Sequence, residues 1–188
     1  MKRKTGSAVA LALAVLLSGC GPGDKPEATQ ALNQTGPTRV TAVPTPVPKP
    51  AGKPVLKLSG ALTNHNSGKD LVLDQKQLEA MPAETATVYE PWVKKRIEFT
   101  GVPVSLLLTT AGISPSATEV KVHAIDDYQV EFKIADLMAP GVLLATRQEG
   151  EGIPIADGGP VRLVFPPDSV TGRNRDTWVW SIDSFTVS

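Results

Sequence analysis

Apolar and polar positions change their spacing along the chain, and the changes mark out its elements. Val120-Lys121-Val122-His123-Ala124-Ile125 and Tyr128-Gln129-Val130-Glu131-Phe132 alternate around Asp126-Asp127, the pattern of a β-hairpin. Arg96 to Val102 alternates too, with Ile97 and Phe99 set against Arg96 and Glu98. Val104, Leu107, Leu108 and Ala111 instead recur at helical spacing, between Pro103 at the start and Gly112 at the end. A second, shorter helix is predicted over Gln75 to Met81. Asp74 caps it, Gln77 completes a capping box, Leu78 and Met81 face inward, and Pro82 stops it.

Further strands are predicted at Val55–Leu58, Leu71–Leu73, Ala86–Tyr89, Val142–Thr146, Val161–Phe165 and Trp178–Val187, with a helical turn at Ile134–Met138. Strands outnumber helices, and the helices are short and inserted between hairpins. The fold class is therefore α+β, a mixed β-sheet with short inserted helices and not a doubly wound parallel sheet.

The chain before this region has a different character. Lys2, Arg3 and Lys4 precede the apolar run Ala8–Leu17 and the small residues Ser18 and Gly19, the layout of a secretory signal over residues 1–19. Leu17-Ser18-Gly19-Cys20 resembles a bacterial lipobox, in which the cysteine receives lipid and becomes the first mature residue. Residues 20–54 follow as a lipid-anchored linker with eight prolines and no aromatic residue, and Thr41–Pro50 favours polyproline II. Residues 55–188 form one domain of ordinary size holding all nine aromatics. The expected location is the cell envelope, anchored at Cys20 and facing the periplasm. Pro22, and not Asp, two places after the cysteine favours an outer membrane if the cell is Gram-negative.

Formal charge sums to zero over the 188 residues, but residues 1–54 carry seven Lys+Arg against two Asp+Glu. The remainder carries twelve against seventeen, a net −5, which argues against nucleic acid as a partner. The expected partners are the membrane, through the lipid, and a protein of the envelope.

Cys20 is the only cysteine, so the domain has no thiol for a disulfide or a thiolate metal site. Two histidines and no thiol give no suitably clustered zinc site. His123, on a strand between Val122 and Ala124, is directed with Lys121 away from the Val122 face. Arg173-Asn174-Arg175, with Arg162 on a nearby strand, offers guanidinium forks for a phosphate or carboxylate. Solvated loop pairing with Asp168 and Asp176 is the plainer alternative. Asp126 and Asp127 are expected to form a turn and His65 to lie at the surface; Trp178 and Trp180 share one strand face and are expected in the core, where Trp92 can join them, with an exposed aromatic platform as the alternative.

The order of these pieces resembles the molybdopterin-binding domain of the sulfite oxidase family. The matching segments are Leu78-Glu79-Ala80-Met81-Pro82, Phe99-Thr100-Gly101-Val102-Pro103-Val104, Asp126-Asp127-Tyr128, Leu143-Leu144-Ala145, Gly158-Gly159-Pro160-Val161-Arg162-Leu163-Val164 and Trp178–Val187. The resemblance implies molybdopterin as cofactor, with molybdenum held by a pterin dithiolene and one protein thiolate. That cysteine would lie after Thr87-Val88, where this chain reads Tyr89-Glu90-Pro91-Trp92-Val93-Lys94-Lys95. The 188 residues are shorter than a full sulfite-oxidising enzyme, which the resemblance implies would carry a second, immunoglobulin-like domain, and they contain no Cys-x-x-Cys-His haem motif. On these residues the domain is a scaffold for ligand or partner binding, with His123, Arg162, Arg173 and Arg175 as cofactor-binding candidates, no metal ligands and no assigned catalytic residue. The alternative is a molybdopterin-dependent oxidoreductase of the sulfite oxidase type, so whether the chain is an enzyme stays open on sequence.

Overall fold

Leucine-rich alternation builds two five-stranded sheets in the computed structural model, which describes residues 45–188. The signal segment, Cys20 and the linker up to residue 44 lie outside the described residues. The strands are β1 (Pro54–Gly60), β2 (Leu71–Asp74), β3 (Glu84–Glu90), β4 (Lys95–Pro103), β5 (Glu119–Ala124), β6 (Gln129–Lys133), β7 (Leu143–Gln148), β8 (Glu151–Gly152), β9 (Arg162–Val164) and β10 (Ile182–Val187). The helices are α1 (Gln75–Glu79), α2 (Val104–Ala111), α3 (Ile134–Leu137) and α4 (Val170–Arg173). Among the described residues no helix is long and apolar enough to cross a membrane.

The first sheet runs β2-β1-β10-β5-β6. It is mixed, because β1 and β10 are parallel while its other pairs are antiparallel. The second runs β3-β4-β7-β8, with β9 also on β7, and is antiparallel throughout. The α+β class with short inserted helices is the observed one.

Sheet alternation divides the core in two. Leu56, Leu58, Val120, Val122 and Phe185 of the first sheet pack with Leu107 and Leu108 of α2 in the main core. Val102, Leu144, Leu163 and Phe165 join them from one face of the second sheet. The opposite face of that sheet supplies Ile97, Phe99, Leu143, Ala145 and Val164 to a smaller cluster with Val88, Ile153 and Trp178. The middle of the second sheet, β9 and the first part of β7, is thus buried on both faces, which is why Val142–Ala145 reads as an unbroken apolar run.

Local signals set the element ends. Asp74 accepts a hydrogen bond from Gln77 N (2.8 Å), and Gln77 Oε1 accepts one from Asp74 N (3.1 Å), forming the expected capping box. Gly112 closes α2 in the left-handed conformation. Gly101 lies so close to Leu144 and Ala145 that a Cβ there would collide with their backbone, so β4 and β7 pack through a glycine.

Two expectations need correction. The folded body begins before residue 55. Val47 packs on the main core, Asn64 Nδ2 donates to the Thr45 carbonyl, and Asn66 and Gln77 donate to the Pro48 carbonyl. Side-chain amides take up the carbonyls of a proline-rich segment that composition alone assigns to the linker. Nor is Trp178–Ser181 strand. A short 3-10 turn at Arg175–Thr177 precedes it, and Ser181 at φ 47° breaks the extended chain, so β10 begins only at Ile182. Helix α4 has no counterpart in the sequence reading.

Leu144 is fully buried where the second sheet meets the main core. Leu144→Ala should cost about 2–5 kcal/mol in denaturant unfolding. A loss below about 1 kcal/mol would show that this face is not tightly packed.

Candidate functional site

Three tryptophans, the only ones in the chain, gather at one end of the second sheet. Trp92 sits in the tight turn Pro91–Lys94 between β3 and β4, where Lys94 takes a positive φ of 56°. Its ring lies 5.6 Å from Trp178 and 4.9 Å from Trp180, at interplanar angles of 59° and 70°. These are the tilted and edge-to-face arrangements that indole quadrupoles favour. Trp178 and Trp180 meet Trp92 as expected, although the segment carrying them is not a strand. Val179, between them, turns to the main core and its carbonyl accepts from Leu163 N. Gly158, at φ 88°, leaves room for Trp180, since a Cβ there would come within 2.9 Å of the indole.

Beneath the tryptophans lies a buried ion pair. Alternation along β3 sends Val88 and Glu90 inward, and alternation along β9 sends Arg162 and Val164 to the same cluster. Both charged residues are 2% exposed. Arg162 Nη2 donates to Glu90 Oε2 at 3.0 Å, and Nη1 donates to the Asp157 carbonyl at 3.2 Å. The guanidinium lies over Trp180 at 4.3 Å from the ring centroid and over Phe99 at 5.1 Å, so cation–π attraction replaces part of its lost hydration. Burial pushes the Glu90 carboxyl above its usual range, against the pull of Arg162. Burial also lowers Arg162 to about 10, with Glu90 and Asp157 opposing the shift. Glu90 Oε1, Arg162 Nε and Trp180 Nε1 are buried with no hydrogen-bond partner among the described residues.

Three clefts surround the tryptophans. One, of about 240 Å³, is lined by Glu90, Trp92, Ile97, Asp157, Arg162 and Trp180. A second, of about 200 Å³, is lined by Trp92, Ala124, Asp126, Tyr128, Trp178 and Trp180. A third, of about 220 Å³, includes Tyr89, Arg173, Arg175 and Trp178.

The four sequence candidates do not converge on one cleft. Arg162 lies at the centre, held by Glu90. Arg173 and Arg175 are exposed on the third cleft, and Arg173 donates to the Asp168 carbonyl. His123 lines none of the three. It points away from the Val122 face, as alternation predicts, and its Nδ1 lies 2.8 Å from Asp183 Oδ1. Asp127 lies 3.4 Å from its Nε2. Asp126-Asp127 forms the hairpin turn, Asp127 at φ 67°, and His65 is exposed. The sequence reading missed Glu90 as the partner of Arg162 and Tyr128 as a cleft wall. The inward row Ala86-Val88-Glu90 carried the first signal.

The donor set does not fit a thiolate-held molybdenum. The described residues contain no cysteine, and none of their His, Asp and Glu side chains gather in threes as metal ligands. The one carboxylate buried next to the expected ligand position, Glu90, is engaged by Arg162.

Comparison with known proteins places this geometry. The family model described as oxidoreductase molybdopterin binding domain matches residues 66–184. No curated protein matches. Among solved structures, the sulfane dehydrogenase SoxCD from Paracoccus pantotrophus superposes with a TM-score of 0.55 at 22% identity. The match covers 70% of this chain and 37% of that one. This likeness is one of fold, and the chain spans well under half of that protein's length.

Two outcomes follow from the site. Arg162→Met leaves Glu90 buried without its partner and should cost about 3–5 kcal/mol in unfolding free energy. The double variant Arg162→Met/Glu90→Leu should recover most of that loss; failure to recover would mean that the pair does more than neutralise itself. The hydrogen bond to Asp183, followed by the charges of Asp183 and Asp127, raises the His123 pKa above 6.5. Its stabilisation is therefore complete below pH 6.5 and lost as pH rises through the folded-state value. In an NMR titration Asp183→Asn should lower that value; an unchanged value would show that the contact is not formed in solution.

Proposed function

We propose, for a chain that belongs to the oxidoreductase molybdopterin binding domain family, that its domain works as a ligand-binding module of the cell envelope and not as a molybdenum enzyme. The observation that carries this reading is the Glu90–Arg162 pair. Next to the position where the resemblance calls for a thiolate, the chain buries a carboxylate already engaged by a guanidinium. A carboxylate so held is a poor metal donor, because ligating a metal would strip Arg162 of its counter-charge.

The tryptophan clefts above the pair supply the binding surface. They are concave and set aromatic rings beside charged side chains such as Asp126, Arg162 and Arg175, a lining that can hold and orient a small molecule. The lipid on Cys20 and the proline-rich linker hold the module at the membrane, where it meets a small ligand or a protein of the envelope. In this reading the domain keeps the family scaffold and has exchanged its redox centre for a binding site. A fold of this kind does not fix its activity.

The test compares the full chain made in cells competent for molybdopterin synthesis with the chain made in cells blocked in it. Equal melting temperatures and near-ultraviolet spectra are expected. A resident cofactor at a thousand times its Kd would add about 4 kcal/mol of stability, so a clear rise in melting temperature in competent cells would overturn the proposal. Cys20→Ser should move the chain from the membrane fraction to the soluble fraction. A variant that stays with the membrane would refute lipid anchoring.

A further inference from the structure

We infer that the cleft between Trp92, Trp178, Trp180 and Tyr128 is an aromatic cage for a small organic cation of the alkylammonium class, an inference that rests on the ligand-binding reading above. Four aromatic rings line this cleft, and among the described residues the Asp126 carboxylate is the only formally charged group that does so. Arg162 lines the neighbouring cleft and not this one.

The polar edges of two of the rings are occupied elsewhere. Trp178 Nε1 donates to the Gly172 carbonyl at 3.1 Å, and the Tyr128 hydroxyl donates to the Asp176 carbonyl at 2.7 Å. What these two side chains offer a ligand is mainly the π surface, whose negative quadrupole attracts a cation. Trp180 already carries one cation at 4.3 Å, the Arg162 guanidinium, so this indole is used for cation–π contact within the fold itself.

Asp126 supplies the counter-charge. One of its oxygens accepts from Tyr128 N at 3.2 Å, which fixes the carboxylate in the hairpin turn, and the side chain stays exposed. The net −5 of residues 55–188 favours a cation over an anion. At about 200 Å³ the cleft is smaller than the roughly 300 Å³ at which sites for drug-sized ligands begin. That size suits an ammonium carrying methyl groups.

The chain's three tryptophans all belong to this cluster, so intrinsic fluorescence reports on it directly. The full chain in a non-ionic detergent is titrated with choline chloride and, at matched ionic strength, with its uncharged isostere 3,3-dimethylbutan-1-ol. A saturable change with choline is expected, with affinity about tenfold or more above that of the alcohol. Asp126→Asn, which keeps the acceptor for Tyr128 N, should weaken choline binding several-fold and leave the alcohol unaffected. Equal affinities for the two probes would overturn the cation assignment and leave a cleft for uncharged ligands. No saturable change with either probe would also overturn it. Equal melting temperatures from the two cell types alongside either result would leave the non-metal reading standing.

Discussion

Two opposite charges buried at one end of an antiparallel sheet constrain everything built around them. Arg162 stands on β9 and Glu90 on β3, three strand intervals apart across β7 and β4. Their contact ties the sheet together above Phe99. Neither side chain tolerates the interior alone, since an unpaired buried charge costs several kcal/mol. The tryptophans complete the arrangement. Trp180 lies against the guanidinium, Trp178 and Trp92 close over the pair, and the clefts between them follow from the packing.

The elements that alternation and capping control were legible in the sequence. The hairpin around Asp126-Asp127, the capping box at Asp74 and the helix between Pro103 and Gly112 are each set by a few adjacent residues. Local chemistry decides such elements, and the sequence displays it. The division of the strands into two sheets is set by long-range pairing, such as β1 beside β10, which no local pattern encodes. The linker boundary was hidden for a similar reason. Thr45 to Pro50 has a linker's composition, and only the distant amides of Asn64, Asn66 and Gln77 make it part of the body.

The site was legible in pieces. Arg162 was visible as a cation within a strand, but its partner lies 72 residues away. Glu90 continued an inward-facing row, yet a carboxylate at the end of a strand usually reads as solvent-facing. The spacing of Trp178 and Trp180 points to the tryptophan cluster, although neither lies in a strand, since β10 begins only after the positive φ of Ser181. His123, Arg173 and Arg175 are candidates by residue type alone, and tertiary placement leaves the two arginines on one cleft and His123 away from it.

The proposed reading turns on the end of β3, where the family resemblance implies a thiolate ligand. There the interior holds a paired carboxylate, and a thiolate ligand is missing from the described residues. The most direct measurement is elemental analysis of molybdenum per chain in the full-length protein, made in molybdenum-replete cells that synthesise the pterin cofactor. The account predicts molybdenum far below one atom per chain, unchanged in Glu90→Leu/Arg162→Met. One molybdenum per chain would contradict it.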